Sequence, residues 1–75
     1  MNLKEALAVA KQGVNGLFAP DALRDVRLET FLYDDHLGVW SLTIGFAFPD
    51  RPEARSYKTV RVLEADKSVL SIRDR

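Results

Sequence analysis

The sequence contains no cysteine and only one histidine among its 75 residues. Without cysteine, the chain can form neither a disulfide scaffold nor a cysteine-ligated zinc site. It also lacks an apolar run long enough for a signal peptide or a membrane span. We therefore expect one domain, residues 1–75, that resides in the cytoplasm and has no cofactor and no membrane contact.

An excess of charge of either sign is also missing. Eleven basic and eleven acidic residues give a net charge of zero, which disfavours nucleic-acid binding through a general basic field. The charges are unevenly spread, because residues 21–50 are mainly acidic and residues 51–75 are mainly basic. We expect these segments to form neighbouring strand pairs that attract each other across a sheet.

The segment from Gly38 to Phe48 is the most regular part of the sequence. Small or polar residues alternate there with large apolar ones, which are Trp40, Leu42, Ile44, Phe46 and Phe48. This alternation is typical of a half-buried strand at the centre of an antiparallel sheet. It predicts that Trp40 lies in the core, against a helix near Leu7 or Val14.

Residues 2–17 have apolar side chains at helical spacing. The members of this stripe are Leu3, Ala6, Leu7, Ala10, Val14 and Leu17. Asn2 and Glu5 have the spacing of a capping box, and Gly16 marks the end of the helix. The small Ala6 and Ala10 would let the helix lie close to a sheet.

A connector follows the helix. Pro20 prevents continuation of the helix, and we expect a single helical turn over Asp21–Leu23. Phe18 and Leu23 are expected to close the end of the core.

Three further strands are predicted. In the first, Val26–Tyr33, the apolar phase changes after Leu28, so a β-bulge near Glu29–Thr30 would keep Phe31 and Tyr33 on the core side. Without a bulge, those two aromatic residues would lie on the opposite face.

The other two strands are Ser56–Leu63 and Val69–Arg73, with Leu70 and Ile72 directed inward. The prolines of Pro49–Ala54 predict a loop there rather than a strand. Gly38 or Asp35 should supply unusual dihedrals in the first hairpin loop, and Lys67 should do so in the last turn.

Together these elements predict an α+β fold with one N-terminal helix packed on a four-stranded antiparallel meander sheet. Short connections between consecutive strands favour this order.

Three motifs follow the helix in order: Gly38-x-Trp40, then Tyr57-Lys58-x-Val60-x-Val62, then Glu64-Ala65-Asp66-Lys67-Ser68-Val69-Leu70-Ser71-Ile72. This pattern resembles PepSY-like domains and short uncharacterised bacterial proteins of the same helix-plus-meander arrangement. The resemblance implies a small α+β fold and an inhibitory or protein-binding role, and it supplies no catalytic residues.

His36 lies beside Asp34 and Asp35, a combination compatible with a metal site or a general base. A polar hairpin turn explains the same residues without chemistry, and we favour that interpretation. No second histidine is available to activate a serine nucleophile. The sequence thus predicts neither a metal site nor an enzyme.

The sheet face away from the helix is the better candidate for function. Its polar and aromatic side chains are Ser41, Thr43, Tyr57, Thr59, Arg61, Ser71 and Arg73. Tyrosine and arginine are favoured at protein interfaces, which predicts a small non-enzymatic protein-binding module such as an inhibitor, antitoxin or immunity-type protein.

Three alternatives remain open for this face. It could be a plain solvated surface, or it could be used for self-association through the sheet. It could also belong to a nucleic-acid-binding regulator that uses the basic C-terminal strands.

Overall fold

A computed structural model describes all residues, 1–75, as one helix followed by a four-stranded sheet. The elements are α1 (Leu3–Asn15), β1 (Arg24–Asp34), β2 (Val39–Phe48), β3 (Arg51–Leu63) and β4 (Ser68–Asp74). Every strand pairs antiparallel with its neighbour in the chain, in the order β1-β2-β3-β4. The predicted α+β fold with a meander sheet is confirmed. The single helix is too short and too polar to cross a membrane.

Both ends of α1 are set by local hydrogen bonds. The Asn2 side chain accepts the Glu5 N–H at 2.9 Å, and Glu5 accepts the Asn2 N–H at 3.1 Å, which confirms the capping box. Gly16 ends the helix, and its N–H donates to the Gln12 carbonyl at 2.9 Å. Leu17 lies beyond this cap and is 53% exposed, so it does not join the buried stripe.

The buried side of α1 lies over β2, β3 and β4. Ala6, Ala10 and Val14 have no exposed surface, so small side chains do bring the helix close to the sheet. A Cβ at Gly13 would lie only 3.3 Å from the Cδ1 of Ile72 and 3.4 Å from the Cγ2 of Val69. The face of the sheet under α1 is called the helix face below, and the other side the open face.

The core is built on β2. Leu42, Ile44 and Phe46 are at most 1% exposed and pack with Val60 and Val62 of β3.

Trp40 has the same phase along β2, as predicted, but it is only partly buried. Its ring neighbours come from β1, with centroids 4.8 Å away for Tyr33 and 6.4 Å for Phe31. The predicted burial of Trp40 against the helix is therefore only partly met.

Strand β1 contains the predicted bulge. Leu28 pairs with Ile44 and Thr30 with Thr43, which leaves Glu29 as the extra residue. The aromatic residues Phe31 and Tyr33 thereby stay on the helix face, opposite Leu42 and Trp40 of β2.

Strand β4 also contains a bulge, which changes one predicted assignment. Arg61 pairs with Ser71 and Val62 with Val69, so Leu70 has no partner. The prediction that Leu70 faces inward is wrong: it is 50% exposed, and Val69 lies against the helix instead. The regular spacing of Leu70 and Ile72 conceals the extra residue.

The segment Pro49–Ala54 differs from the prediction of a continuous loop. Only Pro49 and Asp50 form the turn, and β3 already begins at Arg51, which pairs with Phe48. Residues 52–54 are extended but pair with neither β2 nor β4. The missing N–H of Pro52 therefore costs the sheet no hydrogen bond.

The connector forms a β-turn rather than the predicted helical turn. The Ala22 N–H donates to the Ala19 carbonyl at 3.0 Å, and Asp21 has a φ of +59°. Proline second and a positive φ third are the features of a type II turn. The expected closure of the core is confirmed, since Leu23 is buried and the Phe18 ring lies 5.4–5.6 Å from those of Phe46 and Phe48.

Two hairpin loops, 35–38 and 64–67, lie at one end of the sheet and have four residues each. Each ends in a residue with positive φ, namely Gly38 at +63° and Lys67 at +57°. The predicted left-handed conformation of Lys67 is confirmed, within a loop longer than a two-residue turn.

Candidate functional site

The residues predicted for partner contact lie together on the open face. Pairing across β2, β3 and β4 aligns them in adjacent rows. Two rows have three members each, Ser41–Arg61–Ser71 and Thr43–Thr59–Arg73, and in the next row Tyr57 lies opposite Gly45. The sequence pattern thus identified one continuous surface of the sheet.

Not every member of this set is available to a partner. Thr43 is only 8% exposed, and its Oγ1 lies 3.3 Å from the Oγ1 of Thr59, so this pair links β2 to β3. The Oγ of Ser71 is buried and has no hydrogen-bond partner. These hydroxyl side chains mainly fill the sheet surface between longer neighbours.

One exposed part of the open face is basic. Arg61 and Arg73 are exposed and form no ion pair. Their positions are diagonal neighbours on β3 and β4, a relation that places the two residues about 7–8 Å apart. Beside them, the guanidinium carbon of Arg75 lies 5.2 Å from the ring centroid of Tyr57, a cation–π contact. We call Tyr57, Arg61, Arg73 and Arg75 the basic strip.

Charges next to Tyr57 on the open face are balanced. Arg55 of β3 lies 3.6 Å from the Asp25 carboxylate and 3.5 Å from that of Glu29, both on β1. Gly45 of β2 leaves the space for this contact, because a Cβ there would lie 2.6 Å from the Glu29 Oε1. The predicted attraction across the sheet is confirmed for Arg55, whereas Arg61 and Arg73 have no ion-pair partner.

His36 lies in an exposed loop that a neighbouring carboxylate organises. The Asp34 Oδ1 accepts the backbone N–H groups of His36 at 3.0 Å and Leu37 at 3.1 Å. The interpretation of this segment as a polar turn is confirmed. His, Asp and Glu side chains form no group of three or more that could hold a metal ion.

A second surface, on β1, was missed by the sequence interpretation. Because α1 lies over β2, β3 and β4, the end of β1 is left uncovered on the helix face. Phe31 is 52% and Tyr33 37% exposed there, and Leu32 between them is 69% exposed on the open face. The available signal was the run Phe31-Leu32-Tyr33 itself, since three consecutive large apolar residues of a strand cannot all face one core.

Tyr33 also makes a polar contact at the rim of this surface. Its hydroxyl donates to the Glu64 Oε2, and the N-terminal amine of Met1 lies 3.4 Å from the Glu64 Oε1. The hydrogen bond from Tyr33 is the main reason that the Glu64 pKa is lowered. The N-terminal amine and the Trp40 indole N–H lower this pKa further, although the buried indole N–H lacks a well-formed hydrogen bond. The same bond raises the pKa of Tyr33.

Comparison with known proteins gives no match, either among protein-family models, among curated proteins or among solved structures. The resemblance to PepSY-like domains and the cytoplasmic location accordingly stay predictions.

Proposed function

We propose that this protein is a small non-enzymatic protein-binding module that holds an acidic surface of another protein against its basic strip. The observation that carries this proposal is the pair of exposed arginines without ion-pair partners, Arg61 and Arg73, beside the Tyr57–Arg75 contact. An inhibitor, antitoxin or immunity-type protein would use such a surface to cover the working part of its target.

The chemistry of the strip supports protein recognition. Arginine can bind a carboxylate through two parallel N–H groups, and tyrosine supplies a large contact area with few rotatable bonds. Both residue types are enriched among the few side chains that carry most of the energy of an interface. Tyr57, Arg61 and Arg73 lie on paired strands rather than on loops, so the sheet holds their spacing before a partner binds.

A nucleic-acid-binding regulator is the second candidate, because phosphates also bind arginine. Platforms for single-stranded nucleic acid usually stack several bases on aromatic side chains. The basic strip has only Tyr57 for this purpose, and the net charge of the chain is zero. We therefore favour an acidic protein partner.

The test uses the triple variant Tyr57→Ala/Arg61→Ala/Arg73→Ala as bait in a pull-down from the native host, followed by mass spectrometry. The matched control is Lys4→Ala/Arg51→Ala, which also removes two positive charges from exposed positions without ion-pair partners but leaves the strip intact. We expect one acidic protein to bind the wild type and the control but not the triple variant, whose circular dichroism should be unchanged.

Binding of that protein, once purified, should weaken as salt is raised. Normal binding by the folded triple variant would contradict the proposal. Salt-dependent binding of single-stranded oligonucleotides by the wild type, lost in the triple variant, would favour the regulator instead. If a toxin or effector gene lies next to the gene of this protein, its purified product would be the first partner to test.

A further inference from the structure

From the shape of β1 we infer that the protein forms a symmetric dimer in which the Thr30–Asp34 segments of two copies pair antiparallel and join the two sheets. This interface is separate from the basic strip and does not depend on the function proposed above.

The first argument is that β1 ends in an unprotected edge. In the order β1-β2-β3-β4, one side of β1 has no neighbouring strand. Proteins usually protect such an edge with lysine, proline, a bulge or a covering element, because its free N–H and C=O groups invite another strand. The segment Thr30–Asp34 has none of the first three, and α1 lies over the other strands.

The second argument is the symmetry of this segment. Its five residues pair with β2 without interruption, between the bulge at Glu29 and the loop that follows Asp34. In a two-fold antiparallel pair, opposite residues point to the same face only when one residue lies opposite its own copy across the axis. The central residue is Leu32, so the full-length pairing sets Leu32 opposite itself and Phe31 opposite Tyr33 of the second copy.

The third argument is that this register is chemically self-complementary. It joins aromatic to aromatic side chains on the helix face, where Trp40 already contacts both rings, and leucine to leucine on the open face. Asp34 lies opposite Thr30, so no two carboxylates face each other within the paired segment. The zero net charge also keeps long-range repulsion between two copies small.

The other edge of the sheet, β4, explains why no further copies would add to the dimer. β4 is interrupted by the bulge at Leu70 and ends in Arg73 and Asp74, which are devices that prevent strand addition. Because the contact through β1 uses the same patch on both copies, it closes on itself.

The contact area predicts a weak dimer. The exposed parts of Phe31, Leu32 and Tyr33 amount to roughly 300 Å² of apolar surface per copy, against about 800 Å² per partner in a stable interface. We therefore expect weak association, with a dissociation constant from about 1 µM to 1 mM.

The first experiment is sedimentation velocity of the full chain at protein concentrations from about 1 µM to 1 mM. The wild type should shift from monomer to dimer over this range, and Leu32→Lys should stay monomeric, because lysine would face its own copy across the axis. Leu37→Lys is the matched control: Leu37 is similarly exposed, at 60%, but lies in the loop after β1, so this variant should dimerise like the wild type.

The second experiment uses the absence of native cysteine. In Leu32→Cys the two Cα atoms across the axis would lie about 4.5–5.5 Å apart, within the range of a disulfide. Mild oxidation should give covalent dimers from Leu32→Cys at least ten times faster than from Leu37→Cys. A wild type that stays monomeric at every concentration, equal rates for the two cysteine variants, or undiminished dimerisation of folded Leu32→Lys would each overturn the inference.

Discussion

At the scale of single residues, Lys67 and Gly38 perform the same task with different chemistry. Each is the last residue of a four-residue hairpin loop and has a φ near +60°. Glycine adopts this conformation freely, whereas a residue with a Cβ is strained by about 1 kcal/mol. Lys67 offsets part of that strain, since its Nζ lies 3.1 Å from the Glu5 Oε2 at the start of the helix.

Replacing Lys67 by glycine should therefore stabilise the domain. We expect Lys67→Gly to raise the free energy of unfolding by several tenths to about 1 kcal/mol, because the steric cost disappears while an exposed ion pair contributes little. The measurement is a urea denaturation curve, with the midpoint and slope fitted separately.

The matched control is Lys67→Ala, which removes the ion pair with Glu5 but keeps the Cβ. It should be no more stable than the wild type, so the difference between the glycine and alanine variants measures the strain. Because hydrogen bonding to Lys67 is the main cause of the lowered Glu5 pKa, both variants should return that pKa toward its usual value. Equal stability of the two variants would mean that Lys67 carries no strain.

At the scale of elements, the close approach of α1 to the sheet depends on small side chains on the buried side of the helix. Ala10 is fully buried on the sheet side of the helix, while Ala8 is exposed to solvent. We expect Ala10→Leu to destabilise the protein by about 1–3 kcal/mol, because the added carbons must displace α1 or distort its neighbours.

Ala8→Leu is the control for this change. Leucine and alanine have similar helix propensities, so the exposed substitution should leave the thermal midpoint almost unchanged. A comparable loss of stability at both positions would show that the effect arises from the helix alone and not from its packing on the sheet.

The elements also show which irregularities a sequence reveals. The bulge at Glu29 was predictable because the apolar phase changes between Leu28 and Phe31. The bulge at Leu70 was hidden because Leu70 and Ile72 keep a regular spacing while Val69 is the residue that packs on the helix. Pro52 was misinterpreted because a proline excludes a strand only where its N–H would be needed for pairing.

At the scale of the whole molecule, Glu64 connects three separate parts of the chain. Its carboxylate accepts a hydrogen bond from the Tyr33 hydroxyl and lies 3.4 Å from the N-terminal amine. Its backbone N–H donates to the Gly38 carbonyl at 2.8 Å. These contacts exist only in the folded protein, which makes its stability dependent on pH.

The direction of this dependence follows from the two pKa shifts. The Glu64 pKa is lowered on folding, so its contribution is complete above about pH 4.3, the ordinary glutamate value, and is lost as the pH falls through the lower folded value. The Tyr33 pKa is raised, so its contribution is complete below about pH 10 and is lost as the pH rises through the higher folded value.

We expect Tyr33→Phe to reduce the loss of stability at acid pH and to remove the loss of stability at alkaline pH that the ionisation of Tyr33 causes. The check is the thermal midpoint of the wild type minus that of the variant, measured from acid to alkaline pH in dilute solution. This difference should be largest near neutral pH and should shrink toward both extremes. A constant difference would show that the hydroxyl of Tyr33 does not bind the Glu64 carboxylate in solution.

The whole molecule further explains why one surface was predictable and the other was not. The open face was predictable from the alternation of side chains in β2 and β3. Tyr57, Thr59 and Arg61 alternate with the buried valines and must therefore lie on the other face of the sheet. The exposure of Phe31 and Tyr33 depends instead on where α1 lies, over β2 to β4 and away from β1. Local periodicity assigns a side chain to a face of the sheet, but it cannot show how much of that face a single helix covers.

The bulge at Glu29 has a consequence for the evolution of the gene. Loss of the codon for Glu29 would leave Leu28 opposite Ile44 and Thr30 opposite Thr43, so every later residue of β1 would keep its face and its partner. Loss of the codon for Leu32 would instead move Phe31 and all residues before it by one position and exchange their faces. We therefore expect natural length variation in β1 to be tolerated at residues 29–30 and to be eliminated by selection two codons later.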